Sequence, residues 1–393
     1  MNKLTVKDID LKAKRVLMRV DFNVPLDKQG NITDDRRIRA ARPTIKYCLD
    51  RGAGKVILIS HLGRPKGKVA EAFRLTPVGI RLEELLGEGV RKLDDCLGED
   101  VGRAIGEAGE RVVLLENLRF HPEEEKNDRE FARQLAGLAD VFVNDAFGAA
   151  HRAHASCEAV THFLPAVAGL LLAKEMEYLG RILACPDRPF VLILGGAKVS
   201  DKILLIENML DKVDEIIIGG GMCYTFLKAR GLAIGASKLD AERVGVADEI
   251  LRKARGKAVN ISLPVDNLVV DKVERPEKIE TVEGDIAAGF MGVDIGPRTV
   301  DNFCRSLSKA RTVLWNGPLG IFEVAEFSQG SFRVAEFVAG LEATKVIGGG
   351  DTAAMIACFG LEDKMSHIST GGGACLEYLE GKALPGIAAL SAA

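Results

Sequence analysis

Arginine and histidine residues follow several of the short hydrophobic runs in the first half of the chain. His61 and Arg64 come directly after one such run, Arg119 follows the next, and His151 and Arg152 follow a later one. Guanidinium groups are planar, permanently charged and able to donate two parallel hydrogen bonds, which suits them to phosphate and carboxylate oxygens. A single arginine is most often a surface charge. Several arginines at equivalent positions predict a cup for a small ligand with several negative charges.

Four glycine clusters follow hydrophobic runs in the second half. They stand at residues 195–196, 219–221, 348–350 and 371–373. A glycine-rich turn between a strand and a helix lets backbone N–H groups approach a phosphate, and the helix dipole favours the negative charge there. Glycine also serves simply to make tight turns. Four clusters at strand ends favour phosphate binding, because ligands of open α/β sheets bind at the carboxyl ends of the strands.

Two common nucleotide-binding signatures are missing from the sequence. The stretch nearest to a P-loop, residues 63–69, has the wrong spacing and no Ser or Thr after its lysine. No GxGxxG motif opens a helix after the first predicted strand. These absences weaken the P-loop and dinucleotide-binding interpretations.

Two groups of residues raise the question of a metal. Asp351 follows a glycine cluster, where it suits either Mg²⁺ beside phosphate groups or the N-cap of the next helix, and the two uses are compatible. His151, His154 and Cys157 have a spacing that would place them on one face of a helix, but no further Cys/His pair accompanies them. That pattern favours anion orientation or packing over a zinc site.

The elements that must position these residues alternate along the whole chain. Hydrophobic runs at 16–20, 56–59 and 112–115, and again at 190–194, 216–218, 312–315 and 345–347, are typical of buried parallel strands. Amphipathic stretches such as 36–50 and 127–139 predict helices between them. The alternation indicates βαβ units, so the predicted fold class is α/β with two doubly wound parallel-sheet, Rossmann-like domains. A helix predicted at about 166–183, ended by Pro186, would join them.

Composition limits the class of protein. The chain has 393 residues, of which 47% are hydrophobic and 28% charged, and a net charge of −3, as expected for a globular protein of two or three domains. This balance predicts neither a nucleic-acid partner nor a membrane partner. Eight cysteines without a CxxC pair are typical of a reducing compartment, and the sequence shows neither a signal-peptide pattern nor an apolar stretch of membrane-spanning length. We expect a cytoplasmic protein.

Nine short motifs run through the chain in a fixed order. They are RVDFNVP (19–25), SHLGRP (60–65), ENLRF (116–120), NDAFG (144–148), HRAHAS (151–156), GGAKVSDK (195–202), WNGP (315–318), GGDT (349–352) and STGGG (369–373). Each motif alone is a weak signal. The ordered set covers essentially the whole chain and closely resembles the phosphoglycerate kinase family.

The resemblance implies that each of the two domains binds one substrate. Residues 1–170 would bind 3-phosphoglycerate, residues 171–372 would bind the nucleotide, and residues 373–393 would return to the N-terminal domain. The family's acid pocket matches Asp21, Phe22, Asn23, Arg36, His61, Leu62, Gly63, Arg64, Arg119 and Arg152. Its nucleotide site matches Lys202, Gly219, Gly220, Gly292, Asn316, Glu323, Gly349, Gly350, Asp351 and Thr352. Glu323 resembles the ribose-binding acid, and Asp351 the residue that faces Mg²⁺.

The resemblance also implies the reaction. ATP and the carboxylate of 3-phosphoglycerate would react reversibly to ADP and 1,3-bisphosphoglycerate, with Mg²⁺ as cofactor, in a monomer that closes about the hinge helix at 166–183. A carboxylate is already ionised at pH 7, so no general base is needed, and catalysis rests on positioning and charge neutralisation. The residues implied to be catalytic are Arg36, Lys198, Lys202 and Gly350.

Two other classes of function remain open from the residues alone. One is a carboxylate kinase with a different acceptor, such as an amino acid, although the ammonium of that acceptor would require acidic partners in a cup that is mainly cationic. The other is a nucleotide-binding scaffold without activity. Loss of Arg36, Lys202 or Asp351 would have supported the scaffold, and all three are present.

Overall fold

The computed structural model describes residues 3–393, which divide into two compact units. The first unit comprises the described residues up to Glu177 together with Ala383–Ala393, and the second is Tyr178–Lys382. The residue limits of the predicted domains stay a prediction.

A six-stranded parallel sheet forms the centre of the first unit. Its strands are β1 (Arg15–Arg19), β2 (Lys55–Ile59), β3 (Val90–Lys92), β4 (Val112–Leu114), β5 (Val141–Asn144) and β6 (Ala166–Ala168), in the order β3-β4-β2-β1-β5-β6. The helices that accompany them are α1 (Arg36–Asp50), α2 (Thr76–Leu86), α3 (Glu99–Glu107), α4 (Pro122–Glu125) and α5 (Arg129–Ala136). The central strands are buried because their side chains are apolar on both faces.

The helix predicted from about residue 166 begins later than expected. Ala166–Ala168 is strand β6, whose backbone pairs with Phe142–Asn144, and helix α6 covers Leu170–Ala184. The short apolar run satisfies its backbone groups by extending the sheet, which the helical spacing of the sequence did not reveal. The prediction of a helix over 166–169 was therefore wrong. The boundary between the two units, Glu177 to Tyr178, falls inside α6.

A second six-stranded parallel sheet forms the centre of the second unit. Its order is β15-β14-β13-β7-β8-β9, and a separate antiparallel sheet has the order β11-β10-β12. The strands are β7 (Phe190–Leu194), β8 (Glu215–Ile218), β9 (Asn260–Ser262), β10 (Asp266–Val270), β11 (Ile279–Glu283), β12 (Met291–Ile295), β13 (Thr312–Asn316), β14 (Thr344–Gly348) and β15 (His367–Ile368). The helices are α7 (Ile203–Met209), α8 (Gly220–Ala229), α9 (Val244–Gly256), α10 (Pro297–Leu307), α11 (Gln329–Ala339), α12 (Gly350–Cys358) and α13 (Gly373–Leu379).

The C-terminal residues belong to the first unit. Helix α14 (Pro385–Ala388) follows the second unit, and the Asn144 side chain donates a 3.0 Å hydrogen bond to the Gly386 carbonyl. The Leu4 amide donates to the Ser391 carbonyl at 3.0 Å. The predicted return of the C-terminal segment, and with it the predicted α/β class with two doubly wound parallel sheets, is confirmed.

Short 3₁₀ turns complete the chain. They cover Glu71–Phe73, Leu118–Phe120, Phe147–Ala149, Ala159–His162, Ala241–Arg243, Ala325–Phe327 and Glu362–Lys364. Two of them, Leu118–Phe120 and Phe147–Ala149, lie within four residues of the ends of β4 and β5, so they belong to the loops at the carboxyl edge of the first sheet. Among residues 3–393, no helix combines the length and the apolar composition needed to cross a membrane.

Candidate active site

The predicted cup residues lie at the carboxyl ends of four adjacent strands of the first unit. The loops that follow β1, β2, β4 and β5 contain Asp21, His61, Arg119 and Arg152 respectively. Because all four strands are parallel, these loops leave the sheet at the same edge. The topology therefore gathers side chains that are far apart in the sequence.

Positive charge is concentrated around one buried histidine. His61 is 4% exposed, and its pKa lies well below the ordinary value because the side chain is buried and guanidinium groups surround it. These groups belong to Arg19, Arg119, Arg152 and Arg37. The imidazole is therefore neutral at pH 7, so it acts as a hydrogen-bonding group and not as a charge.

A chain of buried hydrogen bonds sets the orientation of His61. Arg19 lies 3.1 Å from His61 Nδ1 through its Nη2 and donates from Nε to Ser156 Oγ at 2.8 Å. Ser156 in turn donates to the buried carboxylate of Glu124 at 2.7 Å. Since a guanidinium only donates, Nδ1 accepts, and the proton of the neutral ring sits on Nε2. The ring is thus fixed as a donor on its Nε2 side.

Arg119 is held in an unfavourable environment. Its side chain is 4% exposed, and Nη1 donates to the Gly63 carbonyl at 2.8 Å. Burial, with the adjacent positive charges of Arg152 and Arg19, lowers the pKa of Arg119 to about 10, although Glu125 lies 3.3 Å from its Nε. A bound anion would remove this repulsion, so the cup is electrostatically complementary to one.

The cup residues other than the arginines and His61 are fixed by local hydrogen bonds and one ion pair. Asn23 Oδ1 accepts from the Gly63 amide at 2.9 Å, which joins the loops after β1 and β2. Asp21 accepts from Arg37 Nη1 at 2.7 Å. The Leu62 amide donates to Asn117 Oδ1 at 3.2 Å, and Phe22 is fully buried. These contacts hold the loop backbones in place around the arginines.

The remaining predicted cup arginines lie nearer to solvent. Arg36 is half-buried at the start of α1, where its Nε donates to Asp34 Oδ2 at 2.8 Å. Arg64 is exposed, and Arg152 is half-buried with its Nε 3.1 Å from His151 Nε2. These three side chains are less buried than those of Arg19 and Arg119.

The second unit has a cavity of about 430 Å³ at the carboxyl edge of its parallel sheet. Four of the predicted nucleotide residues line it, namely Gly220, Gly292, Glu323 and Asp351. Tyr224 and Lys238, which the sequence analysis did not single out, line it as well. Apolar walls with a few polar groups at the margin are the usual composition of a small-molecule site.

Two of the lining glycines leave no room for a side chain. A Cβ on Gly292 would lie 1.8 Å from the hydroxyl oxygen of Tyr224, which is 4% exposed. Gly220 has a φ of +62°, and a Cβ there would lie 2.5 Å from the Pro318 carbonyl oxygen. These positions require glycine because the backbone itself forms the wall.

The loop after β14 carries the predicted phosphate-binding residues. Gly349 is the N-cap of α12, so Gly350, Asp351 and Thr352 form its first turn. Thr352 Oγ1 accepts from the Gly317 amide at 2.7 Å and donates to the Gly348 carbonyl at 2.9 Å, which ties this turn to the loop after β13. The free N–H groups of a helix start favour an anion.

The two predicted lysines lie in different surroundings. The Lys202 ammonium donates to Asn316 Oδ1, and burial lowers its pKa although Asp201, Cys375 and Asp351 oppose the effect. Lys198 instead lines a neighbouring cavity of about 340 Å³, which shares Lys238 and Ala197 with the larger cavity. Gly219 packs against Leu319 and does not line either cavity.

The residues present fit a magnesium ion at one position. Asp351 is exposed at the start of α12 and on the cavity wall, so its carboxylate is able to supply one oxygen beside phosphate groups. The other metal pattern weighed from the sequence is not supported. The segment with His151, His154 and Cys157 forms turns, and within the part of the chain that the structure describes these three do not form a ligand group.

Arg19 and Arg37 are the cup residues that sequence reasoning missed. In the sequence, Arg19 stands at the end of a hydrophobic strand. Its complete burial and its contact with His61 are visible only in the structure. Arg37 follows Arg36 directly, and the sequence did not indicate which side chain faces Asp21. A charged residue inside an apolar run is the one sequence signal by which Arg19 could have been found.

Comparison with known proteins agrees with this geometry. A family model described as phosphoglycerate kinase matches residues 6–382. The chain is 57% identical over 395 residues to the phosphoglycerate kinase of Moorella thermoacetica, with 100% of both chains covered. It is 55% identical over 391 residues to that of Rubrobacter xylanophilus, with 99% of this chain and 98% of that protein covered.

Solved structures give the same assignment. The structure of phosphoglycerate kinase from Coxiella burnetii matches with a TM-score of 0.88 and 42% identity, covering 98% of each chain. That of Pyrococcus horikoshii matches with a TM-score of 0.87 and 33% identity, again over 98% of each chain. With the family model matched over nearly the whole length and relatives above half identity, this chain belongs to the phosphoglycerate kinase family.

Proposed function

We propose that the arginine cup and the glycine-lined cavity are the two substrate sites of the reaction that defines this family. That reaction is the reversible transfer of a phosphoryl group between ATP and the carboxylate of 3-phosphoglycerate, which gives ADP and 1,3-bisphosphoglycerate in glycolysis and gluconeogenesis. The observation that carries the proposal is the cluster of guanidinium groups around neutral His61. A small ligand with a phosphate and a carboxylate is the chemical complement of that cluster.

The cup recognises the acid through charge and through fixed donors. Arg119 and Arg152 neutralise the phosphate, and His61 donates from Nε2. Asp21 accepts a hydrogen bond from the acid's hydroxyl group, and Asn23 donates one to it. Arg36 is half-buried and is the first residue of α1, and we assign it to the reacting carboxylate and the group in transfer.

The cavity of the second unit receives the nucleotide. The base lies against Gly292 and the backbone wall, Glu323 accepts from the ribose hydroxyls, and the phosphates extend to the first turn of α12. Lys202 and the backbone N–H groups of Gly350 to Thr352 stabilise the charge of the transferring group, with Lys198 assisting. The lowered pKa of Lys202 reflects burial, which strengthens its attraction for phosphate oxygen.

A magnesium ion bound by the nucleotide phosphates and Asp351 would neutralise phosphate charge. The carboxylate nucleophile is ionised at pH 7, so the protein residues need to move no proton, and they contribute positioning and electrostatic stabilisation. Transfer requires the two bound substrates to meet. The predicted hinge role of the helix at Leu170–Ala184 is part of this proposal.

The cellular location and the oligomeric state are proposed from the cysteines and from the residues that form each site. Eight cysteines, all present as free thiols, are the usage of a reducing compartment such as the cytoplasm. Each predicted site draws its residues from one unit of one chain, which agrees with a monomer. Sedimentation of the purified protein across a range of concentrations tests the assembly state, and a mass that rises with concentration would contradict it.

The test is ADP formation from Mg-ATP with and without 3-phosphoglycerate, in hydroxylamine to trap the acyl phosphate. We expect ADP and hydroxamate to depend on both the acid and Mg²⁺. Arg36→Ala should reduce turnover by roughly 10³-fold or more, as expected for an arginine that stabilises a phosphoryl group in transfer. Arg39→Ala, an exposed arginine of the same helix, is the matched control. Turnover without hydroxamate, or an Arg36→Ala variant as active as the control, would refute the proposal.

A further inference from the structure

One group of potential metal ligands lies outside both predicted substrate sites. Asp95 and Cys96 follow strand β3, and His121 directly precedes helix α4. A carboxylate oxygen, the thiol sulfur and an imidazole nitrogen of these residues all lie within 4.8 Å of one another. Among residues 3–393 this is the one group of three or more such side chains that meets this distance.

The imidazole of this group is held in place from two sides. His121 Nε2 lies 2.7 Å from Asp95 Oδ1, and the Phe131 ring packs against the imidazole with a centroid distance of 5.5 Å. Cys96 is fully buried, so its sulfur occupies a fixed position behind the other two groups. Two of the three donors are therefore already oriented toward each other.

The kinds of donor atom indicate which cations would bind. We propose that Asp95, Cys96 and His121 form a binding site for a divalent transition-metal ion, with zinc as the best-matched ion. Sulfur and nitrogen donors select zinc over magnesium or calcium, which take oxygen donors. A tetrahedral zinc ion needs ligand atoms about 3.4 Å apart, so small side-chain rotations complete the set.

Solvent access supplies both an entry path and a fourth ligand. The side chains of Asp95 and His121 are 55% and 30% exposed, whereas Cys96 is enclosed. An ion would enter from the side of the carboxylate and the imidazole and keep one water molecule on its outer face. The site is separate from Asp351, which lies in the other unit.

The position of the group predicts what a bound ion would do. His121 lies two residues after Arg119 and directly before α4, whose Glu124 accepts hydrogen bonds from Ser156 behind the cup. A bound ion would join the loop after β3 to this segment. Zinc binding should therefore raise the melting temperature of the protein, because the unfolded chain lacks the assembled site.

Cobalt(II) is the probe that reports the ligands directly. We expect one equivalent of Co²⁺ to produce a thiolate-to-cobalt charge-transfer absorption that Zn²⁺ abolishes by displacement. Cys96→Ser should lose the absorption. His121→Gln should weaken Zn²⁺ affinity by more than the ~10–100-fold that removal of a ligand's hydrogen-bond partner produces. His121 is half-exposed, so this variant tests the site even where Cys96→Ser fails to fold.

Two matched variants test whether the metal ion binds elsewhere on the chain. Cys185→Ser and His162→Gln remove an exposed thiol and an exposed imidazole of the same chain, and both should behave as the parent protein. Zinc should raise the melting temperature of the parent protein and both controls but not that of His121→Gln. Absence of a charge-transfer absorption in the parent protein would overturn the proposal, as would one-equivalent binding that survives in both Cys96→Ser and His121→Gln.

Discussion

The two units are built on similar parallel sheets, yet their candidate sites use different parts of the chain. The cup of the first unit consists of side-chain charges, with Arg19 and Arg119 buried around His61. The wall of the cavity in the second unit is formed by backbone, and Gly220 and Gly292 leave no room there for a side chain. The contrast implies that removal of a charge should damage one site, whereas addition of a single methyl group should damage the other.

The two units also share one structural feature, a buried carboxylate that is hydrogen-bonded to the start of a helix. In each, a buried carboxylate accepts hydrogen bonds from the first backbone amides of a helix: Asp145 from Leu171 at the start of α6, at 2.9 Å, and Asp294 from Gly330 at the start of α11, at 2.7 Å. Burial raises the pKa of each carboxyl to about 6, even though these hydrogen bonds oppose the shift. Desolvation outweighs the helix dipole in both places.

The largest effect is expected from deletion of the buried charge of Arg119. Arg119→Met should weaken 3-phosphoglycerate binding by roughly 10²–10³-fold, because a phosphate would lose a desolvated charged partner. The same variant should be more stable without ligand, by on the order of 2 kcal/mol, since the pKa of Arg119 is lowered to about 10 by burial and like charges. Calorimetric titration and urea denaturation measure the two effects.

The matched control for this variant is Arg133→Met, because Arg133 is exposed and paired with Glu130 in the same unit. Acid affinity and stability should both stay near the parent values. A less stable Arg119→Met protein would show that this arginine is structural and that the cup is not electrostatically strained. Nucleotide affinity should not change in either variant.

The next largest effect is expected from the addition of one methyl group to the cavity wall of the second unit. Gly220→Ala should weaken nucleotide binding by about 100-fold, because alanine is disfavoured at a φ of +62° and its Cβ would lie 2.5 Å from a backbone oxygen. Acid binding should be unchanged. Fluorescent-nucleotide titration provides the measurement, and Gly245→Ala, where a Cβ meets nothing within 4 Å, provides the control. Equal affinities in the two variants would contradict a backbone-built cavity.

The fold was largely predictable because buried parallel strands leave continuous apolar runs in the sequence. The strand Phe190–Leu194 and the helix Arg36–Asp50 agree with the predicted limits. The antiparallel sheet was missed, since its strand Ile279–Glu283 is mostly exposed and its two aliphatic residues, Ile279 and Val282, do not form a continuous apolar run. Such a strand is specified by pairing with Asp266–Val270, which is a tertiary contact.

The candidate sites were predictable to different extents for the same reason. Arginine residues at strand ends indicate anion binding, so the cup was predictable from the residue types alone. The wall of the cavity depends on the approach of Tyr224 to Gly292, 68 residues apart in sequence by the difference of their numbers, and only the fold brings them together. Sequence reasoning therefore names charges more readily than it names shapes.

A pH experiment tests the feature that the units share. Because the folded pKa of Asp294 is about 6 and its ordinary value is 3.8, the folded state binds the proton more tightly, so its stabilising contribution is complete below about pH 4. It is lost as the pH rises through about 6. Relative to Asp294→Asn, the parent protein should lose roughly 3 kcal/mol of unfolding free energy between pH 4 and pH 7.

Urea denaturation at several pH values measures this difference, and Asp145→Asn should give a curve of the same sign in the first unit. Asp301→Asn, which changes an exposed carboxylate on α10, is the control. Parallel stability curves for parent and Asp294→Asn would show that the folded and unfolded states bind this proton equally. In that case the hydrogen bonds from α11 would balance the desolvation.

The smallest effect is expected at Arg37, whose hydrogen bond positions Asp21 in the cup. Arg37→Met removes the 2.7 Å hydrogen bond to Asp21, so the carboxylate that meets the acid's hydroxyl group becomes mobile. The KM for 3-phosphoglycerate should rise about 10-fold, as for loss of one charged hydrogen bond, while kcat stays within about twofold. Arg37→Lys should restore part of the affinity. A fall in kcat at unchanged KM would instead place Arg37 among the groups that stabilise the transferring phosphoryl group, and the charge of the first unit would then act in the chemical step as well as in binding.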